Sequence, residues 1–259
     1  MDVLDKIMQE RRSAVLNAKA AVSESDLQDV AARRVHHSLS QRLQDGTTIS
    51  IIAEVKKASP SAGLLRSDYH PAVIAAGYAD AGAVGISVLT EPIHFQGSEE
   101  DLRAVRAVVN LPVLRKDFIC DPYQILEAAA WGADVVLLIA AALNRQQMLL
   151  LYREALALGL EVLAEVHDED ELMRVLPLEQ AIIGVNNRNL KTLETSLDVA
   201  RSLACQIPAD RLCIAESGVK TRAEIEDLEQ YGYRGFLIGE SLLRETSPAD
   251  GLRQLLFSG

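Results

Sequence analysis

The sequence predicts an α/β chain: a closed (β/α)8 barrel, the TIM barrel architecture, with an N-terminal helical extension. Three observations lead there. A short run rich in Val, Ile and Leu, then a polar loop, then a helical segment recurs eight times along the chain. The runs are apolar on both faces, as strands of a parallel sheet covered by helices must be. Eight such units fill about 210 residues without a Pro-, Gly- or Ser-rich linker, which is the size of one closed barrel. An open doubly wound sheet is the competing layout, but no G-x-G-x-x-G follows the first run. Residues 1–259 are therefore expected to form a single barrel domain, of which about 1–47 is the extension.

The extension begins with apolar residues at Val3, Leu4, Ile7, Met8, Val15 and Leu16 set among charges, the three-and-four spacing of an amphipathic helix over Asp2 to Ala20. A second polar, helix-forming stretch runs from about Ser25 to Gln44. The apolar runs follow: Ile49 to Val55, Val84 to Leu89, Pro112 to Lys116, Asp134 to Ile139, Glu161 to Glu165, Ile182 to Asn186, Leu212 to Ala215 and Gly235 to Ile238. Gly82, Gly132, Gly159 and Gly232 stand just ahead of four of them, where a glycine closes a helix before a strand.

Composition narrows the function. With 49% apolar and 24% charged residues, the 259-residue chain can bury a large core without disulfide or metal staples. A formal net charge of -11 disfavours nucleic acid and anionic membrane as partners, so an anionic small molecule would need a local cluster of Lys or Arg. Cys120, Cys205 and Cys213 have neither the even count nor the spacing of a disulfide or zinc framework, which points to a reducing cytoplasm. The longest apolar run, Val135 to Leu143, is too short to span a bilayer, and Met1 to Arg12 lacks the apolar region of a signal peptide.

In a parallel barrel the active site forms at the C-terminal ends of the strands, where side chains alternate inward and outward. The polar residues closing the runs are Glu54 and Lys56, which share a strand face, then Lys116, Glu165, Asn186, Glu216 and Ser217. Any one of these is equally well read as a solvated strand end or a salt-bridge partner. Together, two ammonium groups and three carboxylates at one mouth would shift each other's ionisation as acid–base chemistry requires.

Ser217-Gly218 and Gly239-Glu240-Ser241 follow the last two strands, where barrels bind phosphate on backbone N–H groups, the alternative being that the glycines merely permit tight strand-to-helix turns. Lys56 and Ser59 are available for countercharge and a hydroxyl. The loop Lys56 to Gly63 is expected to act as a cover. Phe95, Phe118, Leu137 and Leu190 are placed to clamp a flat apolar ring, with ordinary core packing as the alternative. His36, His37, His70, His94 and His167 show no metal-ligand spacing and are expected on the surface.

The stretches I-A-E-V-K-K-A-S-P-S (Ile52 to Ser61), S-V-L-T-E (Ser87 to Glu91), F-Q-G-S (Phe95 to Ser98), L-R-K-D-F (Leu114 to Phe118), D-P-Y-Q-I (Asp121 to Ile125), V-N-N-R-N-L (Val185 to Leu190), A-E-S-G-V (Ala215 to Val219) and F-L-I-G-E-S-L-L (Phe236 to Leu243) resemble the indole-3-glycerol phosphate synthases of tryptophan biosynthesis. The resemblance covers nearly the whole chain. It implies the (β/α)8 fold and conversion of 1-(2-carboxyphenylamino)-1-deoxyribulose 5-phosphate into indole-3-glycerol phosphate, CO2 and water, a carboxy-lyase reaction needing no metal or organic cofactor.

By the same resemblance, Lys116 is the acid at the substrate ketone and Glu165 serves the dehydration. Glu54 and Lys56 act at the substrate carboxylate and in proton relay. Asn186, Glu216 and Ser217 hold substrate hydroxyls and orient the catalytic groups, and Arg188 fixes Asn186. Ser59, Ser217, Gly218, Gly239 and the backbone of Glu240 contact phosphate; Phe118, Leu137 and Leu190 form the ring pocket, beside Phe95. Two positions depart from the family pattern: Asn189, where Asp is common, and His94, where an aromatic is frequent.

The expected working state is a cytoplasmic monomer acting on a phosphorylated small molecule, in at most weak, noncovalent contact with other tryptophan-pathway enzymes. Two other readings remain open from the residues themselves. One is a phosphosugar aldolase or isomerase with Lys116 or Lys56 as Schiff-base lysine; the other is a catalytically silent barrel serving as a binding partner.

Overall fold

A computed structural model describes residues 3–46, 49–190 and 192–257. Its centre is a closed barrel of eight parallel strands among these residues: β1 Ile51–Val55, β2 Gly85–Leu89, β3 Val113–Lys116, β4 Val135–Ile139, β5 Glu161–Val166, β6 Ile182–Asn186, β7 Cys213–Glu216 and β8 Gly235–Ile238. Each strand pairs with its sequence neighbours, and β1 closes the ring against both β2 and β8. The apolar runs locate all eight strands to within one or two residues, because each is buried on both faces. The seventh begins and ends one residue later than expected, which makes Glu216 a strand residue.

Period-two alternation divides the core in two. Residues pointing outward, such as Ile51, Ala53 and Val55, pack against the helical shell. Those pointing inward, including Ile52, Leu114, Leu137, Leu163, Ile182, Ile214 and Leu237, fill the barrel. Continuing the inward phase to the C-terminal strand ends brings Glu54, Lys116, Glu165, Asn186 and Glu216 to the same mouth.

After the helices of the extension, α1 Val3–Ala21, α2 Glu24–Ala31 and α3 Leu39–Asp45, the covering helices α4 Pro71–Ala81, α5 Glu99–Arg106, α6 Pro122–Trp131, α7 Arg145–Ala157, α8 Glu169–Val175, α9 Asp198–Ala204, α10 Arg222–Gln230, α11 Glu240–Leu243 and α12 Pro248–Phe257 start and stop where local chemistry dictates. Asp121, Asn144 and Thr221 make reciprocal capping boxes at α6 Pro122–Trp131, α7 Arg145–Ala157 and α10 Arg222–Gln230. Gly82 and Gly132 adopt φ of 103° and 96° to close α4 Pro71–Ala81 and α6, as the sequence implied. No helix among the described residues is long and apolar enough to cross a membrane.

In the extension, α1 is Val3–Ala21; Asp2, the expected first residue, lies outside the described residues, as do Met1 and Thr47 at the limits of the extension. The expected second helix is instead two, α2 Glu24–Ala31 and α3 Leu39–Asp45. Long-range bonds break it. Arg34 donates to the carbonyls of Leu158 (3.1 Å) and Gly159 (2.7 Å) and pairs with buried Asp134 at 3.2 Å, while Asp134 also accepts the backbone N–H of His37 at 2.8 Å. Ser38 then caps a new helix. Leu39 and Leu43 of α3 enter the N-terminal end of the barrel, where Gly85 and Gly235 leave room: a Cβ on Gly235 would lie 2.6 Å from Leu43 Cδ2. The plug is at the end opposite the charged mouth.

Candidate active site

The mouth opens into a cavity of about 820 Å³. At its centre Lys116 Nζ lies 2.6 Å from Glu165 Oε2 and 2.8 Å from Glu216 Oε2, bridging β3 to β5 and β7. Lys56 Nζ is hydrogen-bonded to Glu54 Oε1, so the two residues predicted to share a face do pair. Two glycines make this crowding possible. A Cβ on Gly184 would overlap Glu216 Oε1, and one on Gly239 would lie 2.8 Å from Glu54 Cβ.

Burial and charge compete at each group. Burial disfavours the ammonium form of Lys116, but Glu165, Glu216 and Glu54 outweigh it and raise its pKa. Burial also opposes ionisation of Glu165, yet Lys116, His167 and hydrogen bonds from Lys116 and Asn186 hold its pKa below the ordinary carboxylate value. Glu216 goes the other way. Its burial, added to the charges of Glu165 and Glu54, outweighs the pull of Lys116, and its pKa is pushed up to about 7. Two carboxylates sharing one ammonium thus separate into a firmly ionised one and one that titrates near neutrality.

The ring-sized end of the cavity is apolar. Phe95 and Phe118 lie with ring centroids 5.9 Å apart, tilted by 39°, and Leu137 and Leu190 line the same cavity. The opposite end has the glycine turns. Ser217 and Gly218 both adopt positive φ, 61° and 85°, so the chain turns sharply as it leaves β7. Asn187 fixes this turn by donating to the carbonyls of Glu216 (3.0 Å) and Ser217 (3.1 Å). Gly239 and Glu240 line the cavity beside it. Lys220 and Arg244, neither singled out from the sequence, add positively charged side chains to the cavity lining, Arg244 paired with Glu240 at 2.9 Å.

Of the site residues expected from sequence, Glu54, Lys56, Phe95, Lys116, Phe118, Leu137, Glu165, Asn186, Arg188, Leu190, Glu216, Ser217, Gly218, Gly239 and Glu240 line this one cavity. Ser59 does not. The expected cover after β1 is a short hairpin, Ala58–Ser59 against Gly63–Leu64, and the buried Ser59 hydroxyl accepts the Ala62 N–H at 3.2 Å within its own turn.

Arg188 also differs in detail. Its backbone N–H fixes Asn186 Oδ1 at 3.0 Å, while its guanidinium bonds Ser61 at 2.7 Å and Glu240 at 3.4 Å, tying three loops across the mouth. Two histidines expected on the surface are largely covered, each drawn in by a carboxylate. His94 pairs with Glu10 of α1 at 2.6 Å, and His167 lies between Glu165 and Glu171.

The extension reaches the C-terminal end of β3 as well. Arg11 of α1 meets Asp117 at 2.8 Å, and Asp117 also accepts from Thr90 and Arg115, the latter stacked on Trp131 at 3.9 Å. Asp117 sits next to Lys116 with no exposed side-chain surface, so this network sets the backbone that aims the lysine. Sequence reading missed it because its two halves are 106 residues apart.

The geometry has counterparts among known proteins. The family model described as indole-3-glycerol phosphate synthase matches residues 4–255. The indole-3-glycerol phosphate synthase of Rhodospirillum rubrum is 46% identical over 98% of this chain and 99% of its own. That of Rhodopirellula baltica is 44% identical over the full length of both. The solved structure of 3-hexulose-6-phosphate synthase from Salmonella typhimurium matches 80% of this chain and 96% of its own with a TM-score of 0.63 at 12% identity, a likeness of fold alone. The fold, the strand-end residues and the full-length relatives agree: this chain belongs to the indole-3-glycerol phosphate synthase family.

Proposed function

We propose that this chain catalyses the reaction of its family, turning 1-(2-carboxyphenylamino)-1-deoxyribulose 5-phosphate into indole-3-glycerol phosphate with loss of CO2 and water. The observation that carries the assignment of roles is Lys116, held between Glu165 and Glu216 at the junction of an apolar slot and a glycine-rich turn. The carboxyphenyl ring enters between Phe95, Phe118, Leu137 and Leu190. The phosphate lies on the backbone of Gly218, Gly239 and Glu240, with Lys220 and Arg244 as countercharges.

That pose puts the substrate ketone over Lys116. The ammonium polarises and protonates the ketone oxygen as the carboxylate-bearing ring carbon attacks the carbonyl carbon, forming the new C–C bond. The C–CO2 bond then breaks and its electrons return to the ring. The alcohol formed from the ketone leaves as water, a proton being supplied to it and another removed from the ring system. Glu165 serves this dehydration, and the Glu54–Lys56 pair faces the departing carboxylate and relays protons. Asn186, Glu216 and Ser217 hold the substrate hydroxyls.

The working unit is a cytoplasmic monomer in this reading. Its three free cysteines, Cys120, Cys205 and Cys213, fit a reducing compartment. The test is to add the carboxyphenylamino substrate to the purified protein and follow indole fluorescence and CO2 release. Stoichiometric appearance of both supports the assignment; a folded protein that produces neither refutes it. Borohydride added with substrate separates out the aldolase reading, since a Schiff base at Lys116 or Lys56 would be trapped covalently.

A further inference from the structure

His167 is a buried titratable group that these steps leave unused. It follows the last residue of β5, two positions after Glu165, and its side chain is 12% exposed. Glu171, on α8 Glu169–Val175, accepts both the His167 backbone N–H at 2.8 Å and the ring Nδ1 at 3.0 Å. A hydrogen bond from Nδ1 to a carboxylate fixes a proton on that nitrogen and leaves Nε2 as the ring atom that faces the site. Nε2 is buried with no hydrogen-bond partner and lies 3.5 Å from Glu165 Oε1, the oxygen opposite the one Lys116 holds.

A lone pair on Nε2 facing a carboxylate would be repelled, whereas a proton there gives Glu165 a second cation. The surrounding charges favour the proton. Burial disfavours the imidazolium, but the Glu171 hydrogen bond and the charges of Glu165, Glu171 and Glu216 outweigh it and raise the pKa of His167.

We propose that His167 is a positioning residue for Glu165, its imidazolium anchored by Glu171 and held in reserve as the countercharge Glu165 needs while Lys116 is engaged with the substrate ketone. The inference rests on the roles given above to Lys116 and Glu165. With Lys116 donating to substrate, Glu165 would otherwise be a buried carboxylate without a cation, and burial would push it toward the protonated form, which cannot accept a proton during dehydration. The charged groups that face His167 are Glu165 from β5, Glu171 from α8 and Glu216 from β7, with Lys116 from β3 behind Glu165.

The test compares wild type, His167→Gln and Glu171→Gln in turnover of the carboxyphenylamino substrate from the lowest pH at which all three stay folded, about pH 4, up to pH 8.5. Both variants are expected to keep KM within about twofold and to lose kcat by about tenfold at the acid end, a loss that shrinks as pH rises. The acid limb of kcat should move up by about one pH unit, equivalent to that tenfold change, because Glu165 protonates more readily. In wild type, NMR titration should place the His167 ring above the ordinary histidine range, a readout that stands even if a variant fails to fold. A folded His167→Gln with the wild-type acid limb, or a His167 ring titrating below about pH 6, would overturn the proposal. Wild-type protein that forms no indole product would instead overturn the assigned reaction, so the two failures are distinct.

Discussion

Replacing Glu216 by Gln should make the protein more stable at alkaline pH while impairing its chemistry. Glu216 is 2% exposed; one oxygen meets Lys116 at 2.8 Å and the other is buried without a partner. Its pKa rises from an ordinary 4.5 to about 7 in the folded protein. The folded state therefore holds a proton that the unfolded chain releases between about pH 4.5 and pH 7. Stability attached to this group is intact below pH 4.5 and is lost as pH rises through that window.

At about 1.4 kcal/mol per pKa unit the full cost is about 3 kcal/mol, of which about 2 kcal/mol falls between pH 5 and pH 8. Gln has no charge to bury, its amide oxygen can still accept from Lys116, and Lys116 keeps Glu165. Urea unfolding of wild type and variant at pH 5 and pH 8, followed by far-UV circular dichroism, reads the difference. The stability of the variant relative to wild type should improve by about 2 kcal/mol from pH 5 to pH 8. Parallel pH dependence would refute the reasoning, because it would mean that Glu216 ionises in the folded protein as easily as in the unfolded one.

Other substitutions probe separate parts of the site. Lys116→Ala should abolish measurable turnover, a loss of at least about 10²-fold, with its circular dichroism spectrum unchanged; retained activity would remove the lysine from its role. Gly239→Ala places a methyl group against Glu54 and narrows the glycine turn, so KM should rise at least about tenfold, measured by steady-state kinetics. Arg11→Ala leaves Asp117 buried with Arg115 alone for a cation and should cost about 3 kcal/mol in urea unfolding. The same variant should lose turnover at temperatures where it remains folded, because Asp117 adjoins Lys116.

The barrel was legible because its signal is local. Runs such as Ile182 to Asn186 are buried on both faces, and a two-residue period is enough to put Glu54 on the inward face with Ile52. Glycines with positive φ, such as Gly82 and Gly132, were equally plain, since a helix must be closed before the chain turns into the next strand. The residues at strand ends could then be gathered by geometry alone, although their roles came from family resemblance.

What stayed hidden depends on contacts distant in sequence or on the direction of a side chain. Nothing near Arg34 announces that it bonds carbonyls at 158 and 159 and so breaks a helix. Ser59 was singled out from its neighbours in sequence, but the hairpin that follows β1 buries it outside the cavity lining, where its hydroxyl oxygen accepts the Ala62 N–H. His167 has no metal-ligand spacing to mark it; the usable signal is Glu165 two residues before it and Glu171 four residues after it, carboxylates on both sides of one ring. His94 pairs with a residue in the first helix, far outside any local window.

The most direct test of this arrangement is a crystal structure of the Lys116→Ala variant soaked with the carboxyphenylamino substrate. The phosphate should lie on the backbone of Gly218, Gly239 and Glu240, the ring between Phe118 and Leu190, and the ketone oxygen in the space vacated by the Lys116 ammonium. Substrate bound with its ketone remote from position 116, or with the phosphate and ring ends exchanged, would contradict the account.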